Sequence, residues 1–391
     1  MSTDRPLLFQ PLKIRSVELR NRIAVSPMAM YCAESGYPIQ FHLLHYGKFA
    51  LGGAGTVFIE QTAVTRTGRI TNGCLGLWED QQIDALRPIT AALRAHGSVS
   101  ALQINHGGRK SSAQRAWEGN GPLTAENIAN GDESWVPLGP SNIPFSDGWP
   151  APRALTRAGM DGIRDAFVAT ALRALEANFD IIEIHMAHGY LLQSFLSPLA
   201  NARTDNHGGS LENRMRFPLE VTEAVRRALP DHVPLFARIS ATDWIDGGWT
   251  LDDSVVLSRE LIKRGVDVID CSSGGNLAGG ATNSSLKRGP GYQVPFAERI
   301  RAETGALTQA VGFIRTPQMA EQVLREGRAD LIAIGRQMLF NPNWAHHAAE
   351  TLGETQHFEN WPRQYAWWLD KWASGLRAMG EQPIPGDVAG A

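Results

Sequence analysis

Residues 181–190 read Ile-Ile-Glu-Ile-His-Met-Ala-His-Gly-Tyr. A short β-branched run, Ile181 to Ile184, passes without a break into two histidines three apart and a tyrosine. Strands covered on both faces, as in a parallel sheet, are short and rich in Val and Ile. An α/β barrel keeps its chemistry at the C-terminal ends of such strands. The pattern recurs to either side. Ile23 to Ser26, Thr56 to Glu60, Val99 to Ile104, Leu235 to Ile239, Val268 to Cys271, Leu307 to Val311 and Leu331 to Ile334 read as seven further buried strands. Amphipathic stretches separate them: Arg157 to Ala177, where Ile163, Phe167, Ala171 and Leu175 recur four apart, then Leu211 to Leu229, Leu251 to Arg264 and Thr316 to Glu326. Asp252 ahead of the Val255–Leu261 run, and Thr316-Pro317, read as helix starts.

Eight alternations of strand and helix predict an α/β fold, the (β/α)8 TIM barrel. A doubly wound open sheet would normally carry GxGxxG after its first strand, and none stands there. The expected organisation is an N-terminal hairpin and one barrel over residues 1–352. A long loop follows the third strand, with residues 111–152 acting as a lid or short hairpin over the mouth, since so long a loop is functional or carries small elements of its own. Residues 353–391 form a C-terminal extension. Trp361, Trp367, Trp368 and Trp372 mark packing or an interface there, and Gly380 to Ala391 read as a disordered tail.

With 43 % apolar and 20 % charged residues the 391-residue chain can bury a large core. A formal charge of 37 − 40 = −3 leaves no basic footprint for nucleic acid and no polybasic membrane patch. No apolar run approaches the ~18 residues of a membrane span. Met1 to Leu8 carries no signal-peptide core. Cys32, Cys74 and Cys271 make no CxxC pair and no disulfide framework, so no metal site and a cytoplasmic location are expected.

After the fourth strand, His185 and His188 can aim two N–H donors at one substrate oxygen, which is oxyanion-type stabilisation. Tyr190 can share that pocket as a proton donor. A zinc pair or two structural histidines are the competing readings; zinc needs a third ligand, and no HExxH helix is present. After the third strand come Gln103, which can pair both ways with an amide-like edge, and Arg109-Lys110, which could balance negative charge. Arg238 lies inside an apolar strand and needs a partner: a core salt bridge, or an electron-rich ring. The seventh and eighth strands end in Gly312 and in Gly335-Arg336, where this fold commonly binds phosphate. Both glycines at matching places, with an arginine, point to a phosphorylated cofactor. After the first strand, Ser26-Pro27-Met28-Ala29-Met30-Tyr31 stiffens the mouth, and Tyr31 could offer a second hydroxyl to substrate or simply pack.

These motifs resemble the Old Yellow Enzymes. The resemblance rests on Asn21-Arg22-Ile23, Ser26-Pro27-Met28, His106 to Lys110, His185 to Tyr190, Leu196-Ser197-Pro198, Asn201 to Asp205, Gly208 to Arg214 and Ile334-Gly335-Arg336. It covers nearly all of residues 6 to 350, and the branch resembled is the bacterial xenobiotic-reductase and thermophilic-like group. Trp117-Glu118-Gly119 favours the xenobiotic-reductase side.

The resemblance implies an ene-reductase with one FMN, reduced by NADH or NADPH, acting on a small-molecule enone, nitroalkene or maleimide. It implies that His185 and His188 hold the substrate oxygen, that Tyr190 protonates the α-carbon and that Tyr31 and Lys110 help hold substrate. Ser26, Pro27, Met28, Ala29, Gln61, Gln103, His185 and Arg238 would contact the flavin, with Gln103 and Arg238 at its pyrimidine end, and Gly312, Gly335 and Arg336 its phosphate. Trp367 or Trp368 would reach a neighbouring subunit's site in a homodimer or homotetramer. The other readings are a flavin barrel used as a redox sensor or scaffold, and a dienoyl-CoA or trimethylamine dehydrogenase-like protein, against which the three scattered cysteines and the length both count.

Two positions depart from the family. Ala29 stands where this branch usually has cysteine, and Gln61 where it usually has a small residue. Both changes should face one edge of the flavin, so Gln61 is expected to replace the lost polar contact there. Cys32 is expected to turn elsewhere.

Overall fold

The structure, a computed structural model, describes residues 5–276, 288–355 and 358–381. Eight parallel strands close into a barrel: β1 (Ile23–Val25), β2 (Thr56–Ala63), β3 (Val99–Asn105), β4 (Ile181–Met186), β5 (Leu235–Ser240), β6 (Val268–Ser272), β7 (Leu307–Ala310) and β8 (Leu331–Ile334). β8 closes on β1 through Ile332↔Ile23. Helices follow the strands: α1 (Gln40–Leu51), α2 (Gln81–Ala95), α3 (Arg157–Glu176), α4 (Leu211–Ala228), α5 (Leu251–Lys263), α6 (Val294–Thr304), α7 (Pro317–Arg325) and α8 (Trp344–Thr351). The barrel expected from the eight apolar runs is the barrel found. Most element ends fall within one or two residues of those expected, and two differences bear on the site or the helix starts. β2 continues past Glu60 to Ala63, through a register shift between Ile59 and Thr62. α5 is capped by Thr250, whose hydroxyl takes the Asp253 N–H, so Asp252 is inside the helix and is not its start. Thr316 caps α7 with Pro317 at its first position, as read from the sequence.

Two cores follow from the alternation of side chains along buried strands. One lies between strands and helices. The other fills the barrel: Ala24, Phe58, Ala101, Ile181, Phe236, Val268, Leu331 and Ala333 pack with Ile14 and Leu19. Those last two belong to the N-terminal hairpin, Leu12–Ile14 against Val17–Leu19, which therefore plugs the barrel floor. Phe58 and Phe236 meet there at 5.8 Å, and truncating either to alanine would cost about 3–5 kcal/mol.

The segment after β3 carries a short helix, Ala125–Ala129, and its Leu138–Gly139 pairs with Arg153–Ala154. That pairing is parallel, so of the two readings, lid or short hairpin, the hairpin does not hold. The tryptophans of the extension divide. Trp361 stacks on His346 at 4.7 Å and donates to Glu350, fastening the extension to α8. Trp367, Trp368 and Trp372 stand exposed on α9 (Arg363–Ala378). The disordered tail expected from Gly380 onward lies, but for Gly380 and Glu381, outside the described residues. Among the described residues no helix is long and apolar enough to cross a membrane.

Candidate active site

Two residues beyond the apolar floor, the inward side of the barrel turns polar. Ser26, Gln103, Glu183, Arg238, Asp270 and Gln309 are all buried there. Strand register sets Gln103 beside Glu183 and Arg238 beside Asp270. Gln103 Nε2 donates to Glu183 Oε1 at 2.8 Å. Arg238 donates through Nη1 to Ser26 Oγ at 3.2 Å, and its Nε pairs with Asp270 Oδ2 at 3.3 Å without the alignment of a hydrogen bond. The partner that Arg238 needed is therefore a core carboxylate, and Nε keeps donor capacity. Burial, and then the Asp270 charge, push the Glu183 carboxyl well above its usual range, so it holds its proton.

Above this layer β4 ends in a sharp turn. His188 and Gly189 take left-handed backbone, φ 61° and 74°. A Cβ on Gly189 would lie 2.3 Å from the Gly275 carbonyl oxygen. One on Gly275, φ 113°, would lie 2.1 Å from the His188 carbonyl carbon. The turns after β4 and β6 thus meet backbone to backbone, and only glycine permits it at either place.

Hydrogen bonds fasten the contact. The His188 N–H goes to Ser240 Oγ at 3.0 Å, and Ser240 Oγ donates to the Gly274 carbonyl at 2.7 Å. Lys110 Nζ donates to the carbonyls of His188 at 2.9 Å and Gly275 at 3.4 Å. Buried Asp243 collects Gln193 Nε2, Ser197 Oγ, the Trp249 N–H and Asn276 Nδ2 within 2.9 Å. Gln193 in turn accepts the Gly189 N–H, and Asn276 accepts Arg109 Nη2 at 3.0 Å.

This scaffold gathers the three residues singled out from sequence. Ring centroids of His185 and His188 are 5.0 Å apart, of His185 and Tyr190 5.2 Å, and of His188 and Tyr190 6.4 Å, each pair nearly perpendicular. Burial holds both imidazoles well below their usual pKa, helped by Arg238 and Lys110, so both are neutral N–H donors at neutral pH. Burial raises the Tyr190 phenol well above its usual value, so it keeps its proton. His188 Nε2 lies 2.7 Å from Ser272 Oγ, while His185 Nδ1 is buried with no partner. Among the described residues no group of three His, Cys, Asp or Glu is placed to hold a metal.

Gln61 accepts from Asn105 Nδ2 at 3.0 Å, leaving its own Nε2 and Asn105 Oδ1 buried and unpartnered. Orphaned buried polar atoms are costly and ask for a ligand or water. His185 Nδ1, Gln61 Nε2 and Arg238 Nε are donor-capable groups, and they suit a polar heterocycle such as a flavin. Pro27, Met28 and Ala29 are half-buried in the loop after β1. Tyr31, at its end, meets Trp117 of the segment after β3 edge-on at 6.1 Å. Cys32 points to His42 Nε2, 3.7 Å away. Past β7, Gly312 has φ 123°, which requires glycine. A Cβ on Gly335 would make ordinary contact with Met28 at 3.4 Å. Arg336 lies over the Phe313 ring at 4.7 Å.

Lys110 and Trp368, both expected at the substrate, make the following contacts within this chain. The Lys110 ammonium is spent on two backbone carbonyls and lies over the rings of Phe145 and Tyr190, at 4.6 and 5.1 Å. Burial lowers it to about 7. Trp368 is 66 % exposed, packed edge-on against Trp367. The run 201–214 proves structural: Arg203 donates to the carbonyls of Pro140 and Leu155, Asn201 to those of Phe195 and His207, and Ser210 caps α4. Sequence reasoning missed Ser240, Asp243 and Ser272, whose only signal was a polar residue at or just past a strand end.

Residues 7–355 match the NADH:flavin oxidoreductase / NADH oxidase family. The chain is 43 % identical over 351 residues to an NADPH dehydrogenase of Geobacillus sp. (strain WCH70), spanning 89 % of this chain and 95 % of that one. It is 41 % identical to an NADPH dehydrogenase of Listeria innocua serovar 6a, over 92 % and 98 % of the two chains. Among solved structures, morphinone reductase superposes with a TM-score of 0.74 at 26 % identity, over 90 % of this chain and 91 % of that one. A 2-naphthoyl-CoA reductase gives 0.78 at 25 % identity over 88 % of this chain, which spans about half of that longer protein, 52 %.

Proposed function

The chain belongs to the NADH:flavin oxidoreductase / NADH oxidase family, the Old Yellow Enzymes, and on that premise we propose that it reduces activated C=C bonds of enones, nitroalkenes and related small molecules. It is an oxidoreductase that uses FMN, with NADH or NADPH as reductant. FMN supplies, when bound and reduced, a hydride for the β-carbon of the alkene. What carries the reading is the convergence of His185, His188 and Tyr190 within 5.0 to 6.4 Å, two neutral imidazoles and a protonated phenol.

The imidazoles donate to the substrate oxygen, where charge develops as the alkene is reduced, and Tyr190 gives its proton to the α-carbon. Tyr31 holds the substrate from the other side of the mouth. Lys110 acts through backbone, steadying the His188 turn. Arg238, Gln103, Gln61 and the Ser26–Ala29 loop would hold the ring system, with Arg238 against its electron-rich edge. Gly312, Gly335 and Arg336 would hold the phosphate. The exposed Trp367 and Trp368 support an assembly, a homodimer or homotetramer, in which α9 of one protomer closes the mouth of the next. Three free cysteines support a cytoplasmic setting.

The test is direct. The purified protein should be yellow, bleach with NADPH under anaerobic conditions, and regain colour on addition of 2-cyclohexenone. A colourless protein that refuses FMN overturns the reading. A protein that bleaches but is not reoxidised by any activated alkene supports the redox-sensing alternative instead.

A further inference from the structure

β2 carries a buried carboxyl to which the chemistry above gives no task. Glu60 is fully buried and sits in the bulge where β2 shifts register against β3. An extra residue in one strand re-aims the side chains around it. Glu60 Oε2 accepts the Met30 N–H at 2.8 Å, and Oε1 accepts the Tyr46 hydroxyl at 2.9 Å. The Tyr46 oxygen in turn accepts the Glu60 N–H at 3.0 Å. His42 Nε2 stands 3.6 Å from Oε1. The His42 tautomer is set, because Nδ1 accepts the Ile39 N–H at 3.0 Å, so the neutral ring carries its proton on Nε2.

The residue after Met30 is Tyr31, with φ 51°, a costly left-handed backbone for a bulky side chain. Such a conformation persists only where its surroundings over-determine it. Gly73 supports one side, since a Cβ there would lie 2.1 Å from the Tyr31 carbonyl oxygen. Glu60 supports the other through Met30.

We propose that Glu60 is a positioning residue for Tyr31: its carboxylate, oriented by Tyr46, fastens the strained turn after β1 and so presents the Tyr31 hydroxyl to substrate. This rests on the reading that Tyr31 touches substrate. Burial pushes Glu60 up to about 7 against the pull of the Met30 backbone, the Tyr46 hydroxyl and the Tyr31 backbone. The titratable groups facing it are Tyr46 and His42 from α1, Tyr31 and Cys32 from the loop after β1, and Cys74 from the segment after β2. Tyr31, Cys32, Tyr46 and Cys74 are all pushed upward and His42 downward, so each stays neutral around pH 7. Glu60 alone of this group changes charge there. Protonation turns one of its two acceptor oxygens into a donor and loosens a turn that requires acceptors.

The experiment measures KM and kcat for 2-cyclohexenone from about pH 6 to about pH 8.5, the window in which a group near 7 changes charge, in FMN-loaded wild type, Tyr31→Phe, Glu60→Gln, the double variant and Tyr46→Phe. Wild-type KM should rise several-fold as pH falls, with kcat moving less. Glu60→Gln should raise KM about tenfold, the upper range for one lost neutral hydrogen bond, and remove the inflection that Tyr46→Phe shifts, leaving only that of Lys110, which burial lowers to about 7. Tyr31→Phe should raise it similarly, and the double variant no further. Tyr46→Phe, which removes one donor to the carboxylate, should move the inflection to higher pH. Additive effects of Glu60→Gln and Tyr31→Phe overturn the proposal. So does an unmoved profile in Tyr46→Phe, which decides the matter if Glu60→Gln does not fold. An unchanged KM in Tyr31→Phe sinks instead the reading of Tyr31 itself, and the proposal with it.

Discussion

Nε2 of His188 lies 2.7 Å from the hydroxyl of Ser272, a bond that joins the turn after β4 to the end of β6. If the serine donates, the neutral imidazole carries its proton on Nδ1, and the ring is fixed in plane and tautomer together. Ser272→Ala removes that control while leaving the backbone bonds of the turn intact. Losing one hydrogen bond of about 1 kcal/mol should raise KM for an enone roughly fivefold. Steady-state kinetics and the visible spectrum check this: the spectrum should not change. An unaltered KM would show that backbone alone orients His188.

Tyr190→Phe should slow reoxidation by an enone by about 10²-fold or more, the usual weight of a positioned proton donor. Reduction by NADPH should change little, because that half-reaction needs no proton from this phenol. The pH profile follows from the direction of the shifts. A phenol raised above 10 stays protonated through neutral pH, and two imidazoles held below 6.5 stay neutral there. Stopped-flow rates for the oxidative step should therefore show no His185, His188 or Tyr190 inflection between about pH 6.5 and 9. An inflection in that window that vanishes in a variant of one of these residues would contradict the assignment of protonation states.

The barrel was legible because burial on both faces leaves its mark as eight short apolar runs, and because hydrophobic period does not depend on what the site does. The trio proposed to do the chemistry could be singled out because all three residues lie in one stretch at the end of one strand. What stayed hidden depends on contacts between strands. The expected run Thr56 to Glu60 stops three residues short of the end of β2, since a polar residue facing a site, such as Gln61, looks the same in sequence as one in a loop. For Lys110 the sequence offers a charge that could balance negative charge, and the family resemblance implies a substrate contact. Spacing cannot tell that the carbonyls of His188 and Gly275 lie within its reach. Ser240 acts through the turn it meets and Ser272 through the His188 ring, and no period marks either.

Arg238→Ala leaves Asp270, and the Glu183 carboxyl beside it, without their cation. Breaking a buried pair usually costs about 3–5 kcal/mol. Asp270 is already pushed above the usual range, so it can take a proton and hold the cost near the lower end. A fall in Tm of about 4 °C should follow, since a chain this long unfolds with an entropy of about 0.8 kcal/mol/K, with loss of bound FMN. Asp270→Asn in the same background should recover much of the stability without recovering the flavin. Thermal melts and the flavin content of the purified variants test both halves, and FMN retained at full occupancy by Arg238→Ala would remove this residue from the cofactor site.

Acid should destabilise the protein earlier than its carboxylates alone would. Burial depresses His42, His45, His106, His185, His188, His346 and His347, whereas it raises Glu60, Glu183, Asp270 and Glu350. The signs oppose. Below about pH 6.5 the unfolded chain takes up protons on histidines that the folded chain refuses, which favours unfolding. Over the same range the folded chain holds protons on buried carboxyls that the unfolded chain releases, which favours folding. Seven groups outweigh four, so Tm should fall between about pH 6.5 and pH 5. A Tm that is flat or rising on acidification through that window would mean the histidines are not buried as a neutral set.

We propose, last, that Ala29 and Gln61 tune the redox potential. Gln61 is anchored through Oε1 to Asn105 and leaves Nε2 buried without a partner, so a flavin edge beside it would gain a donor that a small residue could not offer. One hydrogen bond of about 1 kcal/mol that favours the reduced ring raises a two-electron midpoint by ~20 mV. Gln61→Ala should lower the midpoint by about that much, and it also strands Asn105 Nδ2, so some loss of stability should accompany it. Gln61→Leu fills the space without the donor and separates packing from polarity. Ala29→Cys, restoring the residue usual in this branch, should move the potential independently. Spectroelectrochemical titration of the three variants gives the answer. Midpoints equal to that of the wild type in both Gln61 variants and in Ala29→Cys would mean that neither position senses the ring, and the polar compensation between them would have to be abandoned.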